Sequence, residues 1–581
     1  MPIDLFLSQL SPTMSEGRIV RWHIHAGEPL VPGALLLEVE TDKAVMEVEA
    51  NQAGTLYRIL AAEGALVPVG SPIAILAEEG EEVPADYHST PVEALAVVTA
   101  SEAGPHGLTL KAGGMFNPDG DYDLAVIGAG PGGYVAAIRA AQLGMRVAVI
   151  ESTHLGGICL NWGCIPTKAL LRTAEIVNVI RGHGAELGLG VSDTTPDLAQ
   201  AVARSRTIAD KLSKGIGFLL KKNKIATISG HARFEAGNRL LVTTTDGEQQ
   251  VTARRVIVAT GARARAFPGM EIDGEVVIAY KAALARTTLP AQLIVIGSGA
   301  IGMEFAWFYR AMGAEVTILE AAEQILPLED HEIARVVERG FKKQGIKTIV
   351  GARVTSARNV EGRAVVEYEL KGQSQQLTGD CCLVAVGVVG NVEAIGAERT
   401  RMRIERGAIA VDGYYRTDHP GIYAIGDVVG APALAHVASH EGIVCVEAIA
   451  GLAPHPVDYG NVPGCTYCQP QVGSTGLTEK QCKEQGLPIK IGRMPYAPNG
   501  KALGLAETDG MVKTIFHAET GELLGAHIVG AEATEMIVTL GLARTLKAGS
   551  ADLAHHMFPH PTLSEMLHEA ALDAEGRAIH L

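Results

Sequence analysis

The sequence predicts an α/β protein built on two parallel-sheet units, with a C-terminal α+β part and a small all-β sandwich at the N-terminus. Three observations predict it. Apolar strands beginning at Leu124 and Leu293 each run into a glycine cluster, a helical stretch and a second strand. Gly supplies 67 of 581 residues while aromatics reach only 4%, a balance that suits many tight turns and close backbone approaches. The first 80 residues are short apolar runs punctuated by Gly and Pro.

So long a chain exceeds a single core, and its pattern changes at about residue 81, at Asp121, at Leu293 and at about Asn461. The net charge of −16, without a basic block, argues against nucleic acid and anionic membrane surfaces as partners. No apolar run approaches the roughly 20 residues of a membrane span. The opening Met1-Pro2-Ile3-Asp4 has neither a basic nor an Arg-rich targeting character, so a cytoplasmic protein is expected. Eight cysteines in such a chain do not form a disulfide scaffold, and a specially spaced pair reads as catalytic.

Residues 1–80 contain a repeat. Gly27-Glu28-Pro29-Leu30-Val31-Pro32-Gly33 and Gly64-Ala65-Leu66-Val67-Pro68-Val69-Gly70 each precede an apolar run, which points to a sandwich with quasi-two-fold symmetry. The segment is acidic, with four Lys/Arg against eleven Asp/Glu. Glu40-Thr41-Asp42-Lys43-Ala44 falls between two apolar runs and predicts a hairpin tip. Residues 81–120 lose periodicity, and Pro84, Pro91, Pro105 and Pro118 mark a linker.

Gly128-Ala129-Gly130-Pro131-Gly132-Gly133 fits G-x-G-x-x-G at Gly128, Gly130 and Gly133, between a strand and a helix. Such a turn brings a pyrophosphate to a helix N-terminus, where free N–H groups and the dipole favour an anion. Glu151 closes the next strand and can accept from a ribose diol. On the motif alone, a purely structural turn remains open.

The stretch Gly156-Gly157-Ile158-Cys159-Leu160-Asn161-Trp162-Gly163-Cys164-Ile165-Pro166-Thr167-Lys168 is the most informative. One distorted helical turn would let Cys159 and Cys164 meet, and a helix N-terminus would favour a thiolate. Ordinary buried cysteines remain an alternative; a zinc site would need two further ligands, and none is near in sequence. No metal is expected.

This stretch closely resembles the active-site segment of the pyridine nucleotide–disulfide oxidoreductases, a resemblance that extends over residues 121–581. It implies that 121–270 binds FAD, 271–390 binds NAD, 391–460 completes the FAD site and 461–581 forms the dimer interface. It also implies that Cys159 exchanges with substrate, that Cys164 lies beside the flavin, and that Lys168 pairs with Glu304 near the flavin edge. Further FAD contacts implied by the resemblance are Ala232, Thr260, Gly261, Asp427 in Ile425-Gly426-Asp427, and Ala433, Leu434, Ala435 and His436.

A second strand–glycine–helix unit carries Gly297, Gly299 and Gly302, with Glu320 at the end of the following strand. An acid there suits a free ribose 2′-hydroxyl and repels a 2′-phosphate; Ala321 and Ala322 add no cation, so NAD is expected over NADP. The resemblance adds Val354 and Gly387 as NAD contacts. Many relatives carry Gly-Arg-x-Pro-Asn where this chain has Gly387-Val388-Val389-Gly390-Asn391, which puts the basic character of that loop in question.

Near the C-terminus, Pro559-His560-Pro561-Thr562-Leu563-Ser564-Glu565 places a carboxylate five residues after a proline-flanked imidazole. A Glu-oriented His is a competent base for a dithiol. By itself the stretch also fits a capped helix with a solvent histidine. In the family this dyad serves the opposite subunit, so the resemblance implies a homodimer with shared active sites. Relatives often carry a second His where Phe558 stands.

Asp42-Lys43-Ala44, the half-unit repeat and the opening Gln9-Leu10-Ser11-Pro12-Thr13-Met14 together resemble lipoyl domains, which implies covalent lipoate on Lys43. No acyltransferase or subunit-binding module is visible. The resemblances jointly imply oxidation of protein-bound dihydrolipoamide, with electrons passing through Cys159–Cys164 and FAD to NAD. The partners would be the lipoyl domains of an oxo-acid (or acetoin) dehydrogenase acyltransferase component. Glu320 without an adjacent Arg opposes a glutathione-reductase-like alternative. The lack of an N-terminal Cys-x-x-Cys and of cysteines after Cys482 opposes a mercuric reductase. A lipoyl scaffold with a vestigial flavoprotein is opposed by the intact pair and dyad.

Overall fold

A computed structural model describes residues 3–7, 16–31, 33–40, 45–50, 53–77, 121–191 and 194–581. The chain divides into two compact units, Met1–Gly113 and Gly114–Leu581.

The first unit holds two antiparallel four-stranded sheets. One orders Ile3–Phe6, Pro72–Ala77, Gly54–Ile59 and Pro29–Leu30; the other orders Val45–Glu49, Leu35–Glu40, Glu16–Trp22 and Leu66–Pro68. Ile19, Leu37, Val39, Leu56 and Ala74 are wholly buried between them. The repeat seen in the sequence is a repeat of hydrogen bonds. Gly27 N–H donates to the Leu56 carbonyl and Gly64 N–H to the Ile19 carbonyl, both at 2.7 Å. Both glycines have positive φ, +94° and +84°, a conformation that disfavours other residues at these turns. The strands flanking residues 41–44 pair antiparallel; Lys43 itself, and the linker expected at 81–120, lie outside the described residues.

In the second unit, parallel strands Ala226–Ser229, Val147–Glu151, Tyr122–Ile127, Gly247–Val258 and Ile422–Ala424 form one sheet. Leu124 to Val126 and Val147 to Ile150 are buried without alternation, as a parallel sheet covered on both faces requires. The helix Pro131–Gln142 turns Ala136, Ala137 and Ala140 inward. The later helix Ala435–Ile449 packs against it so closely that a Cβ on Gly442 would lie 2.8 Å from the Gly132 carbonyl. The chain thus returns after residue 391 to complete its first sheet.

The second parallel sheet orders Val277–Ile278, Cys381–Val384, Gln292–Ile296, Glu315–Leu319 and Lys347–Ile349. Its helix Ala300–Met312 is buried on nearly every side, including Met303, Phe305, Trp307, Phe308 and Tyr309. A helix apolar all round must be covered all round, and the helix Cys164–His183 covers the side away from its own sheet. Two short strands, Ala262–Ala264 and Val388–Gly390, pair antiparallel where the chain leaves the first sheet for the second and where it comes back. Val388 and Val389, which replace the family's Arg-containing run, are the residues that make this pairing. A guanidinium nonetheless reaches the loop from the opposite strand: Arg263 donates to the Gly390 carbonyl at 3.0 Å and pairs with Glu393 at 2.7 Å.

The C-terminal part is a five-stranded antiparallel sheet, Gly464–Thr466, Gln471–Gly476, Leu523–Gly530, Met511–His517 and Ile489–Pro495, with helices Ala533–Thr545 and Glu565–Ala574 packed on it. It is fastened to the second sheet's domain by Lys513, which is 1% exposed. Its ammonium meets Asp330 at 2.9 Å, Glu479 at 2.7 Å and Glu332 at 3.1 Å. The helix Glu565–Ala574 lies so near the edge strand that a Cβ on Gly492 would sit 1.7 Å from the Ala570 carbonyl. Gly492→Ala is therefore expected to lift this helix and destabilise the fold by about 1–3 kcal/mol. A thermal unfolding midpoint equal to that of the wild type would contradict the packing.

Candidate active site

The cysteine stretch forms two helices and not one distorted turn. Gly157–Trp162 ends at Gly163 (φ −142°, ψ −114°), and Cys164 then opens the long helix Cys164–His183. Cys164 stands at a helix N-terminus that no side chain caps, so the dipole favours a thiolate there. Both cysteines are free thiols. A hydrogen bond between them divides their acidity: it raises Cys159 far above the ordinary thiol range, with burial adding to the effect, and it lowers Cys164. The Lys168 ammonium assists the Cys164 thiolate, while burial and Glu304 oppose it. In the dithiol form, Cys164 is the more acidic member of the pair and Cys159 the less acidic.

Lys168 lies one helical turn after Cys164. Its ammonium donates to both Glu304 oxygens, at 2.9 and 2.8 Å, and sits 4.3 Å from the Tyr467 ring centre. Glu304, 4% exposed, also accepts the Tyr467 N–H at 3.0 Å. The structure therefore brings Cys159, Cys164, Lys168 and Glu304 into one connected cluster. Tyr467 joins it unforeseen, because its partner is 163 residues away in sequence.

The two glycine motifs are built alike. A Cβ on Gly133 would fall 2.0 Å from the Gly128 carbonyl, and one on Gly302 would fall 2.0 Å from the Gly297 carbonyl, so the helix must press against its own loop. Beside Gly130 and Gly299 there is open space, and neither helix has a side-chain cap at its N-terminus. Uncapped N–H groups facing space fit the pyrophosphates of FAD and NAD. Glu151 accepts the Ala129 N–H at 2.7 Å, and Glu320 accepts the Ser298 N–H at 2.8 Å; both partners are 22 residues apart. Glu320, which follows its strand Glu315–Leu319 directly, also accepts the Ser298 hydroxyl at 2.7 Å and the Ala322 N–H at 2.8 Å.

The other residues that the resemblance assigns to FAD lie on a loop and a strand of the first sheet's region and on the returning segment. Thr260 and Asn391 clasp each other through Oγ1–carbonyl and Nδ2–carbonyl bonds of 2.8 and 2.9 Å, and Gly261 accepts the Asn391 N–H at 2.9 Å. Ala232 is buried on the strand His231–Ala236. Asp427 lies in the turn Gly426–Val429, its carboxyl pKa raised by burial, an environment that fits a hydroxyl-bearing ligand chain. Ala433 and Leu434 lead into the helix Ala435–Ile449, and His436 donates from Nε2 to the Pro463 carbonyl at 3.0 Å. Glu441, which the sequence did not single out, holds this region: it accepts the Gly426 N–H and the Tyr459 hydroxyl, both at 2.6 Å. On the other side, Val354 lies on the strand Ala352–Val360, and Gly387 precedes the crossing strand Val388–Gly390.

His560 and Glu565 do meet. His560 Nδ1 is 2.9 Å from one Glu565 oxygen, and the Thr562 N–H donates to the other at 2.8 Å. Burial would raise the Glu565 pKa, but these two partners outweigh it and hold the carboxylate ionised. The His560 side chain is 79% exposed. Among the described residues no hydrogen bond or ion pair joins the dyad to its own chain's Cys159 or Cys164. Phe558 packs edge-on to His556 at 4.8 Å. Cys465 and Cys468 share a Cys-x-x-Cys spacing yet pack into different cores, and burial raises the pKa of both.

A sequence profile of the pyridine nucleotide-disulphide oxidoreductases matches residues 122–442, and one for that family's dimerisation domain matches 462–571. A biotin/lipoyl profile, described as biotin-requiring enzyme, matches residues 4–76. The chain belongs to the pyridine nucleotide-disulphide oxidoreductase family, and within it to the dihydrolipoyl dehydrogenases. The dihydrolipoyl dehydrogenase of Rhizobium etli is 49% identical over 79% of this chain and 99% of its own length. That of Zymomonas mobilis is 50% identical with the same coverage. Among solved structures, LpdA from Mycobacterium tuberculosis matches with a TM-score of 0.72 at 28% identity, over 78% of this chain and 99% of that one. The HOCl-induced flavoprotein disulfide reductase RclA from Escherichia coli matches with a TM-score of 0.70 at 28% identity, over 78% and 99%.

The role of Lys168 is testable. Without its cation, Cys164 keeps the hydrogen bond from Cys159 but loses one of the charges that lower it. In Lys168→Met the pH at which the reduced enzyme's first thiolate forms should rise. The readout is the rate of thiol alkylation against pH; an unmoved midpoint would show that Lys168 does not act on the pair.

Proposed function

We propose that this protein oxidises protein-bound dihydrolipoamide through the Cys159–Cys164 pair, FAD and NAD, serving lipoyl domains of an oxo-acid or acetoin dehydrogenase acyltransferase component. The observation that carries the reading is the cysteine pair with Cys164, its more acidic member, at an uncapped helix N-terminus one turn before the Lys168–Glu304 pair. Residues 121–270 and 391–460 hold FAD, 271–390 hold NAD, and 461–581 form the dimer interface. Val538, Leu542 and Leu546, at 62%, 58% and 70% exposure, run along one face of the helix Ala533–Thr545 and its end. Together with the dimerisation-domain match they support a homodimer.

The chemistry begins from the Cys159–Cys164 disulfide. His560 of the partner subunit, oriented by Glu565, takes the proton of one lipoyl thiol. The resulting thiolate attacks Cys159 Sγ; the disulfide breaks, and Cys164 leaves as the thiolate that its surroundings stabilise. The second lipoyl sulfur then attacks the mixed disulfide and closes the lipoyl ring, and its proton passes to Cys159, whose pKa is raised. Two electrons have entered the cysteine pair; one proton rests on Cys159 and one on His560. When bound, FAD and NAD⁺ supply two-electron acceptors in series, which return the pair to the disulfide. Glu320, with Ala321 and Ala322 beside it, offers a 2′-phosphate no cation and favours NAD.

Turnover of free dihydrolipoamide with NAD⁺ tests the reading. Cys159→Ser and His560→Gln homodimers should each be nearly inactive, and subunit-exchanged mixtures should regain part of the activity, because a hybrid dimer holds one intact site. Exchange without recovery would place His560 in its own subunit's reaction. Lys43, as the lipoate attachment site, belongs to the carrier role alone. Lys43→Arg should abolish the lipoyl mass increment and leave turnover of free dihydrolipoamide near normal. Loss of that turnover in folded, flavin-loaded protein would overturn the assignment.

A further inference from the structure

The helix Leu198–Lys222 lies against the short helix that carries Cys159 and holds it through two side chains. Ser213 donates its hydroxyl to the Leu155 carbonyl at 2.8 Å. Arg206 donates from Nη1 to the Asn161 carbonyl at 2.6 Å and lays its guanidinium 4.6 Å from the Trp162 ring centre. His154 meets the same indole edge-on, with centroids 6.3 Å apart at 70°. Asn161 in turn ties the segment to itself, its amide donating to the Leu155 and Gly157 carbonyls at 3.0 and 2.9 Å.

Arg206 is an expensive way to make these contacts. Its Nε and Nη2 are buried and have no hydrogen-bond partner, and no carboxylate pairs with it among the described residues. Burial draws its pKa down, with Asp210 one turn along opposing. A half-buried cation with two buried, unpartnered nitrogens, held by one carbonyl, one aromatic face and the nearby charge of Asp210, contributes little net stability. The cation that acts on the sulfurs is Lys168, so the charge of Arg206 is not needed there. What Arg206 grips is the Asn161–Trp162 end of the Cys159 helix, immediately before the Gly163 joint that separates the two cysteines.

We propose that Arg206 is a positioning residue for thiol–disulfide interchange, clamping Asn161 and Trp162 so that Cys159 stays aimed for attack while the Cys159–Cys164 bond opens and closes. The inference rests on the interchange role proposed above for this pair. It makes stability and activity respond differently to one substitution. Arg206→Met keeps the stem and removes the unsatisfied nitrogens, so the FAD-loaded enzyme should unfold at the wild-type temperature or higher. Opening of the disulfide should slow by about tenfold or more, since small misplacements of reacting atoms are costly.

Two measurements read the disulfide step: turnover of dihydrolipoamide with NAD⁺, and the rate at which dithiothreitol reduces the oxidised pair, followed by thiol titration. The second decides the matter even if dihydrolipoamide proves not to be the substrate, so failure of the functional reading and failure of this one are distinct. Oxidation of NADH by ferricyanide, which takes electrons from the flavin without the cysteines, should stay within about twofold of wild type. Arg206→Lys, which retains a cation and a donor, should recover much of the lost rate. Unchanged dithiothreitol reduction in Arg206→Met overturns the proposal. So does a parallel fall in ferricyanide activity or FAD content, which would make Arg206 merely structural.

Discussion

Glu304 is the point on which the arrangement of the larger unit depends. It stands on a helix of the second sheet, receives both bonds of Lys168 from the helix that begins at Cys164, and receives the Tyr467 N–H from the C-terminal part. Three regions of the chain therefore fix one carboxylate, and that carboxylate fixes the cation beside the redox sulfurs. A buried ion pair of this kind adds little to net stability, but removing either partner strands a charge. Its effect is to tie three regions of the chain to one point. Lys513 repeats the strategy, joining the C-terminal part to Asp330 and Glu332 while also pairing with Glu479.

The two glycine-rich units show how one local solution serves twice. In each, a glutamate at the end of the second strand accepts an N–H from the glycine loop, which holds the loop in shape before any ligand arrives. The difference between them is Ser298 in place of Ala129: its hydroxyl adds a second bond to the Glu320 oxygen and receives the Leu326 N–H at 3.2 Å. The loop on the second sheet is consequently more tightly cross-linked than the one on the first.

Features set by short sequence separations were legible from the chain alone. The glycine motifs, the strand pairs Tyr122–Ile127 with Val147–Glu151 and Gln292–Ile296 with Glu315–Leu319, the half-unit repeat at Gly27 and Gly64, and the His560–Glu565 pair all join residues close in the chain. The Gly163 break was not read, because Gly in a helical pattern signals weakly and the joint is enforced by Thr167 and the neighbouring helix. Tyr467, Glu441, Arg206 and Lys513 went unseen for a different reason: each acts on a partner 15 to 183 residues away, and nothing local marks it. Cys465 and Cys468, spaced Cys-x-x-Cys, pack into separate cores, so spacing alone does not make a pair. The role of Lys168 came from resemblance, and no property of the residue itself announced it.

The paired strands Ala262–Ala264 and Val388–Gly390 have a mechanical meaning. Every covalent passage between the first and second sheets runs through this ribbon, outward on one strand and homeward on the other. Two leaves bound along a single spine can flex about it, but they cannot slide past each other without tearing the binding. Arg263, anchored across the ribbon to Gly390 and Glu393, stitches the spine itself. Sliding of one sheet against the other is thereby resisted at the ribbon itself.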